Sequence, residues 1–255
     1  MQSIHIDHGN PMNAILDNTY TQAIKNLGQS LWTPDTIIII SAHWLTGSDI
    51  EIWTNPDPQM IYDMSGFPDE LYRVQYNVRW DRDWSEALLT FLSKKGVRAQ
   101  SNPDRGIDHG VWSILIHLFP DANIPIIPIS VAYHQWAEYQ YKIGEYIREF
   151  CEWKNILFIS SGNIVHNLGK LDWANHITPE WARDFDTNVE NHIKTGKYHE
   201  LVTYNKLPGA ILSVPTPDHL YPFLTFLGTL RERSVESVFH GFDLGSISTR
   251  IYKML

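Results

Sequence analysis

Four histidines of this 255-residue chain share a local setting that suits a metal site; they are His8, His43, His166 and His219. The first three follow predicted strands by a few residues, and the fourth ends a Pro-Thr-Pro-Asp-His segment. Ligands of open α/β sheets bind at the carboxyl ends of the strands. Histidine serves both as a metal ligand and as an acid/base near neutral pH. Taken singly, each is better explained as a hydrogen-bonded loop residue, but their shared setting predicts one joint site.

A fifth histidine, His109, precedes a predicted helix and is a further candidate for the same pocket. Asp108 beside it either orients the imidazole or caps the helix, and the sequence leaves both roles open. Two aromatic residues, Trp44 and Tyr221, neighbour candidate ligands and are expected to line a substrate pocket. The other histidines are assigned no role; they are His5, His117, His134, His176, His192, His199 and His240.

The elements that must position these histidines alternate between strands and helices. The uniformly apolar run 36–42 is typical of a strand buried on both faces of a parallel sheet. The segment 17–31, opened by Asp17 or Asn18 as cap, has the 3.6-residue period of a helix. The other predicted strands are 3–6, 124–131, 156–160, 235–239 and 247–252, and the other predicted helices are 84–95, 111–119, 136–150, 179–194 and 220–230. The alternation predicts a single α/β domain over residues 1–255, with a central, mostly parallel or mixed sheet flanked by helices.

Prolines and an aperiodic stretch interrupt this pattern. Pro125 and Pro128 in the predicted strand 124–131 indicate an edge strand or a strand start. Residues 55–80 have no clear period and contain prolines, glycine and several aromatic residues. A long loop inside a compact domain is usually functional or misassigned. We therefore expect either a lid over a pocket or unrecognised secondary structure there.

The composition excludes several classes of function. Hydrophobic residues make up 43% of the chain, which is typical of a globular protein. Lys and Arg total 20 against 29 for Asp and Glu, and a formal charge of −9 repels phosphate backbones and anionic headgroups. Neither nucleic acid nor a membrane is an expected partner. A single cysteine and the lack of a signal-peptide pattern predict a cytoplasmic location.

Six segments occur in a characteristic order over nearly the whole chain. They are His8-Gly9-Asn10-Pro11-Met12, Ser41-Ala42-His43-Trp44, Gly66-Phe67-Pro68 with Leu71-Tyr72, Asp108-His109-Gly110-Val111-Trp112, Ser161-Gly162-Asn163 with His166-Asn167-Leu168, and Pro215-Thr216-Pro217-Asp218-His219. Together they resemble the DOPA-dioxygenase-type branch of the class III extradiol ring-cleaving dioxygenases, the LigB-like superfamily. The resemblance implies a non-haem Fe(II) enzyme that opens catechol-type, DOPA-like diols with O₂.

The resemblance also implies a role for each of the five histidines. His8, His43 and His219 correspond to the family's metal ligands, and His166 corresponds to an acid/base that lies beside the metal or within coordinating reach of it. His109 corresponds to another histidine of the catalytic pocket. Related protocatechuate-type enzymes have glutamate where this branch has His219.

Two carboxylates are adjacent to candidate histidines, and one residue differs from the family pattern. Asp108 and Asp218 are candidate carboxylates for holding adjacent imidazoles, since such groups commonly orient metal-ligating histidines. Asp7 departs from the family, because a glycine commonly precedes the first ligand.

Two alternatives remain open at the level of sequence. A three-histidine site also suits zinc, either in a zinc-dependent hydrolase or as Zn(II) replacing Fe(II) during purification. The same fold also resembles binding modules without catalytic activity, and fold alone does not fix function. The expected partners are a small aromatic diol and O₂. The natural catechol, the bond cleaved and the oligomeric state are not assigned.

Overall fold

An eight-stranded mixed sheet forms the centre of the computed structural model, which describes residues 1–174 and 177–255; His176 lies outside the described residues. Its strands are β1 (Gln2–Asp7), β2 (Thr36–Thr46), β3 (Ile50–Trp53), β4 (Ala99–Asn102), β5 (Ile126–Ala132), β6 (Ile156–Gly162), β7 (Val235–Phe239) and β10 (Ile251–Met254). The order across the sheet is β4-β3-β5-β2-β6-β1-β10-β7. Strands β5, β2, β6 and β1 are parallel, whereas β3 and β10 run antiparallel to their inner neighbours. A small two-stranded sheet pairs β8 (Phe242–Asp243) with β9 (Ile247–Ser248).

Helices cover both faces of the large sheet. They are α1 (Thr19–Ser30), α2 (Arg82–Lys94), α3 (His109–Leu118), α4 (Ala137–Cys151), α5 (Glu180–Lys194), α6 (Ala210–Ser213) and α7 (Tyr221–Leu230). Helices α1 and α3 pack into one hydrophobic core, and α2, α4, α5 and α7 pack into a second core on the opposite face. No helix in the described part of the chain is long and apolar enough to cross a membrane.

The apolar run of β2 shows why the sheet is buried on both sides. Ile37 and Ile39 belong to the core with α1 and α3, whereas Ile38 and Ile40 belong to the core with α4 and α7. Successive side chains of a strand point to opposite faces, so two cores demand an uninterrupted apolar sequence. The predicted fold class, an α/β domain with a mixed sheet between helices, is confirmed.

Several predicted details differ from the structure. Strand β5 lies inside the sheet, so the prediction of an edge position from its prolines is wrong, although Pro125 does precede the strand. Alternate N–H groups of a strand point to the same side, and the N–H of Ile126 bonds to Arg79 O, away from β2. The nitrogen of Pro128, which has no N–H to donate, therefore faces the irregular side of β5, where β3 pairs with β5 only at Ile129.

The predicted strand 247–252 and the segment 55–80 also depart from regular structure. The former divides into β9 and β10. Residues 55–80 hold only a short 3₁₀ helix, Leu71–Arg73, and bridges at Met60 and Trp80. This stretch is thus mostly irregular, and it runs beside the histidine cluster described next.

Candidate metal centre

The carboxyl ends of the central parallel strands bring the predicted histidines to one edge of the sheet. His8 directly follows β1, and its N–H donates to Gly162 O at the end of β6 (2.9 Å). His43 lies in β2 within a stretch where the register with β5 shifts. Such irregularities commonly redirect a side chain next to a functional site. His166 follows β6 by a few residues.

His219 reaches the same edge from the loop before α7. Its carbonyl accepts a hydrogen bond from the Asn163 N–H (2.9 Å). The carbonyl oxygen also passes so close to Gly162 that a Cβ there would lie 2.2 Å from it. Only glycine permits this approach. The Ser161-Gly162-Asn163 segment therefore fixes His219 against the end of β6.

Five imidazoles form one cluster. The Nε2 atoms of His8 and His43 are 3.1 Å apart, and the ring centroid of His219 lies 5.3 Å and 5.1 Å from those of His8 and His43. His109 lies with its ring centroid 3.9 Å from that of His43. The ring of His166 stacks on His219 at 3.5 Å with an interplanar angle of 6°. Ligand-atom spacing would allow a metal ion among His8, His43 and His109, and also among His166, Asp218 and His219.

The hydrogen bond of His8 determines which of its nitrogens faces the cluster. His8 Nδ1 lies 3.0 Å from Ser161 Oγ, and the Ser161 hydroxyl donates its proton to Gly110 O (2.5 Å). Because that proton is committed, Ser161 Oγ accepts a hydrogen bond from His8 Nδ1–H. The Nε2 of a neutral His8 is then an unprotonated lone pair.

His219 has the same tautomer, with its proton on Nδ1. Its Nδ1–H donates to the Asp218 carboxylate. Its Nε2 is buried and has no hydrogen-bond partner among the described residues. A buried polar atom without a partner is costly unless a ligand satisfies it. The free Nε2 of His219 therefore indicates a ligand position.

His43 and His109 share one carboxylate, Asp63. Its Oδ2 lies 3.1 Å from His43 Nδ1, and its Oδ1 lies 2.8 Å from His109 Nδ1. An ionised carboxylate cannot donate a hydrogen bond, so both imidazoles carry their proton on the Nδ1 that faces it. Their Nε2 atoms, like those of His8 and His219, are left as lone pairs.

This arrangement fits a divalent metal ion. Two unprotonated Nε2 atoms 3.1 Å apart repel each other unless a cation or a proton lies between them. Imidazoles whose outer N–H groups are held by carboxylates or hydroxyls are the usual form of metal-ligating histidine. The donor set is all nitrogen, which suits Zn, Fe, Cu or Ni and not Ca or Mg.

Burial keeps His8, His166 and His219 neutral. Desolvation, followed by repulsion from His43, lowers the pKa of His8 well below its ordinary value. Desolvation also lowers the pKa of His219 to about 4 despite the adjacent Asp218, and that of His166 to about 2. Protons therefore compete little with a metal at these nitrogens near neutral pH.

The two carboxylates beside the cluster are ionised. Burial raises the pKa of Asp63, but hydrogen bonds from His109 and His43 outweigh it and hold that pKa well below the usual range. Burial and the hydrogen bond from His219 oppose each other in the same way at Asp218, whose pKa is also lowered. Both carboxylates thus remain hydrogen-bond acceptors at neutral pH.

Asp108 does not act on His109 in either of the two expected ways. Its side chain makes no capping hydrogen bond to α3. Instead, Asp108 accepts from Ser41 Oγ (2.6 Å) and from Arg105 (3.1 Å). The expected cap and orienting role both fall to Asp63, which also accepts from the His109 backbone N–H (3.0 Å). Adjacent residues at a helix start point apart, which explains why the nearer carboxylate is not the one used.

Trp44 and Tyr221 lie in the two hydrophobic cores. Their residues are only 5% and 6% exposed. The Trp44 ring lies under the Arg105 guanidinium at 5.8 Å, and the Tyr221 hydroxyl donates to Gln135 O (2.9 Å). Both side chains thus support the elements that carry His43 and His219 and offer little surface to a ligand.

A buried polar network next to His8 includes Asp7, the residue that differs from the family pattern. Its carboxylate accepts from His5 Nε2 (2.7 Å), from the Ile164 N–H (3.1 Å) and from the Arg250 N–H (3.1 Å). This carboxylate thus joins β1 to the segment that follows β6 and to the start of β10. The sequence assigned no function to His5, and the structure places it in this supporting network.

Two residues of the site, Asp63 and Ser161, carried no signal of their own in the sequence. Asp63 lies in the aperiodic segment, 46 residues before its partner His109, where no local spacing connects them. Ser161 stands in a family-like segment, but a serine at a strand end has many structural uses.

Comparison with known proteins shows the family of the chain. Residues 4–254 match a family model described as the catalytic LigB subunit of aromatic ring-opening dioxygenase. The chain is 32% identical over 254 residues to 4,5-DOPA dioxygenase extradiol of Escherichia coli (strain K12), covering 97% of this chain and 92% of that protein. It is 30% identical over 260 residues to 4,5-DOPA dioxygenase extradiol of Beta vulgaris, covering 99% and 96%. A crystal structure of an uncharacterized protein from Escherichia coli K12 superimposes with a TM-score of 0.86 at 27% identity and covers all of both chains.

Proposed function

The chain belongs to the LigB family of aromatic ring-opening dioxygenases, and from that premise we propose that it is an Fe(II)-dependent extradiol enzyme for catechol-type, DOPA-like diols. The observation that carries the proposal is that the Nε2 atoms of His8 and His43 face each other 3.1 Å apart, beside the unpartnered Nε2 of His219. Residues 1–255 are proposed to form one catalytic domain.

His8, His43 and His219 are the proposed metal ligands. Bound by these residues, iron(II) would supply Lewis acidity and redox chemistry for the reaction of an ionised diol with O₂. Three neutral imidazoles give the ion no negative charge, so the site favours the ionised form of the diol as counter-charge. Ser161, Asp63 and Asp218 act as acceptors beside the Nδ1–H groups and so keep each ligand Nε2 unprotonated.

His166 is proposed to take a proton from a catechol hydroxyl and to return it later in the reaction. No side chain among the described residues hydrogen-bonds its ring, unlike the rings of the three proposed ligands. Desolvation and repulsion from His219 lower its pKa to about 2, so the imidazole is neutral at pH 7 and has a lone pair that can accept the proton. General acid–base transfer of this kind is typically worth about 10²–10⁴ in rate.

His109 is proposed as a second catalytic histidine. Because its Nδ1–H is committed to Asp63, a neutral His109 presents an acceptor nitrogen to the pocket. We assign it to accept a hydrogen bond from the diol while His166 removes the other proton. This division of labour uses the two histidines of the cluster that are not proposed as ligands.

The test uses protein loaded anaerobically with Fe(II), mixed with DOPA and a panel of other catechols, and then exposed to air. We expect O₂ uptake matched by a visible-absorbing semialdehyde product, in the iron-loaded protein and not in the zinc-loaded protein. Iron-loaded protein that consumes no O₂ and opens no catechol would refute the proposal. Ester or amide hydrolysis by the zinc-loaded protein would then favour the hydrolase alternative.

A further inference from the structure

The irregular segment 55–80 contributes one carboxylate to the histidine cluster. Asp63 accepts two hydrogen bonds through Oδ1, from His109 Nδ1 (2.8 Å) and from the His109 backbone N–H (3.0 Å). Its Oδ2 lies 3.1 Å from His43 Nδ1, a contact that favours the imidazole proton on Nδ1. One side chain thus contacts a proposed ligand, a proposed catalytic histidine and the start of α3.

The backbone just before Asp63 is held by three hydrogen bonds. Ile61 N–H donates to Ile107 O (2.7 Å), and Ile107 N–H donates to Gln59 O (2.9 Å). The Trp112 indole N–H donates to Ile61 O (3.1 Å). These bonds tie the segment to the start of α3. The carboxylate position is therefore set by anchored backbone and not by a freely moving loop.

We propose that Asp63 is a positioning residue that fixes the tautomers of His43 and His109. By accepting both Nδ1 protons it leaves Nε2 of His43 unprotonated for the metal and Nε2 of His109 unprotonated for the substrate. The inference rests on the proposed function for the identity of the site, but it concerns a residue to which the sequence assigned no role.

Asparagine and alanine at position 63 should affect the two imidazoles in different ways. Asparagine has nearly the same shape, but one of its two terminal groups is an NH₂ donor. If that group faces His43 or His109, the imidazole must move its proton to Nε2 or accept a donor–donor contact. Alanine leaves space instead, and because the Asp63 side chain is 22% exposed, water can accept the Nδ1 protons.

A purely structural role predicts the opposite order. Asp63 caps α3 through the His109 N–H, and losing such a cap typically costs about 1 kcal/mol. The Asp63→Asn variant would keep this cap, and the Asp63→Ala variant would lose it. For stability, Asp63→Ala is therefore the more damaging change, whereas for metal binding Asp63→Asn is the more damaging change.

The experiment measures Zn²⁺ affinity by chelator competition for the wild type, Asp63→Asn, Asp63→Ala and the control Asp57→Asn. Asp57 lies exposed in the same segment, outside the cluster. We expect Asp63→Asn to bind Zn²⁺ about 10–100-fold more weakly than the wild type. Asp63→Ala should fall between the two, and Asp57→Asn should match the wild type. Thermal unfolding without metal should give the reverse order for the two Asp63 variants.

A spectroscopic measurement gives an independent readout. In ¹⁵N spectra of the zinc-loaded wild type, His43 and His109 should both carry their proton on Nδ1, and in Asp63→Asn one of the two should change. Wild-type Zn²⁺ affinity in Asp63→Asn, or a weaker affinity in Asp63→Ala than in Asp63→Asn, would overturn the proposal. Both readouts are independent of ring opening, so an enzyme inactive on every catechol would refute the proposed function and leave this inference standing.

Discussion

The side chains that surround the histidines matter here as much as the histidines themselves. Each proposed ligand donates Nδ1–H to a different acceptor: Ser161 for His8, Asp63 for His43 and Asp218 for His219. The acceptors fix ring orientation and leave Nε2 free for the ion.

The Ser161 hydroxyl is the least obvious of these acceptors and provides a clean test. Substituting Ser161→Ala removes the acceptor of His8 Nδ1–H, and we expect Zn²⁺ affinity to fall about 10–100-fold. Ser113→Ala is the matched control, because Ser113 is also a buried serine but its hydroxyl has no partner among the described residues. Equal affinities for the two variants would contradict the role given to Ser161.

The acid/base assignment predicts a separation of metal content from turnover. We expect His166→Ala to retain one iron per chain and to lose about 10²–10⁴ in kcat, because a proton acceptor is removed and all three proposed ligands remain. Metal content is measured by elemental analysis and turnover by O₂ uptake. The exposed His199→Ala variant serves as control. Loss of iron in His166→Ala would make His166 a ligand instead.

At this scale the sequence identified residue types better than partners. The five histidines were predicted as one pocket because each follows or precedes a predicted element in a similar way. The sequence offers Asp108 as a candidate partner of His109 and gives no signal for Asp63, because proximity points to the adjacent residue while the chain folds a distant segment over α3. Tertiary hydrogen bonds of this kind leave no local pattern.

At the scale of elements, a buried ion pair fastens α5 to the start of β10. Arg250 donates to both oxygens of Asp186 (2.6 Å each) and to Glu190 (2.8 Å). The adjacent residues pair β10 with β1, whose end carries His8. The pair therefore supports the strand that positions the first proposed ligand.

Breaking this pair should destabilise the fold strongly. We expect Asp186→Asn to lower the free energy of unfolding by about 3–5 kcal/mol, because it leaves the buried Arg250 guanidinium without its main counter-charge. Urea unfolding at pH 7 measures the change. The exposed pair of Arg82 and Glu86 is the control, and Glu86→Gln should cost about 0.5 kcal/mol or less. A similarly small effect of Asp186→Asn would show that the pair is dispensable.

The same pair predicts a pH dependence. Burial raises the pKa of Asp186, but the hydrogen bonds from Arg250 outweigh it and hold the pKa below its usual value. A carboxyl with a lowered folded-state pKa stabilises the fold above its unfolded pKa of about 4, and this contribution is lost as pH falls through the folded value. Stability measured by urea unfolding from pH 7 down to pH 3 should therefore fall less steeply in Asp186→Asn. Parallel curves would contradict the assignment.

Periodicity predicted most elements, and its failures have physical causes. Helix α1 begins after Asn18, whose side chain accepts from the Thr21 N–H as a capping residue should. The prediction of an edge position for β5 is wrong because the side of Pro128 that lacks an N–H faces β3, which pairs with β5 irregularly. Strands β8 and β9 have two residues each, too few for any period to show.

At the scale of the whole molecule, the sheet carries two hydrophobic cores and one polar edge. Strands β1, β2 and β6 are paired in parallel, so their carboxyl ends meet at that edge. The sequence predicted this because α/β alternation demands it. What it could not predict is how residues 55–80 cross the edge, since an aperiodic segment has no preferred path without tertiary contacts.

Metal binding should stabilise the entire fold. The facing Nε2 atoms of His8 and His43 repel each other without a cation, and an ion that binds only the folded chain shifts the unfolding equilibrium. At 100 times its Kd the ion adds about 2.7 kcal/mol. For a chain of this size that corresponds to a rise in Tm of roughly 5–10 °C. Calorimetry with Zn²⁺, and again after a chelator, measures the rise and its reversal; an unchanged Tm would contradict a preformed site.

The central claim is that imidazoles from distant parts of the chain converge on one ion. Diffraction from anaerobically iron-loaded crystals, recorded on both sides of the iron absorption edge, tests it most directly. The account predicts one anomalous peak per chain, within coordinating distance of Nε2 of His8, His43 and His219. A peak elsewhere, or none between these three residues at full iron loading, would contradict it.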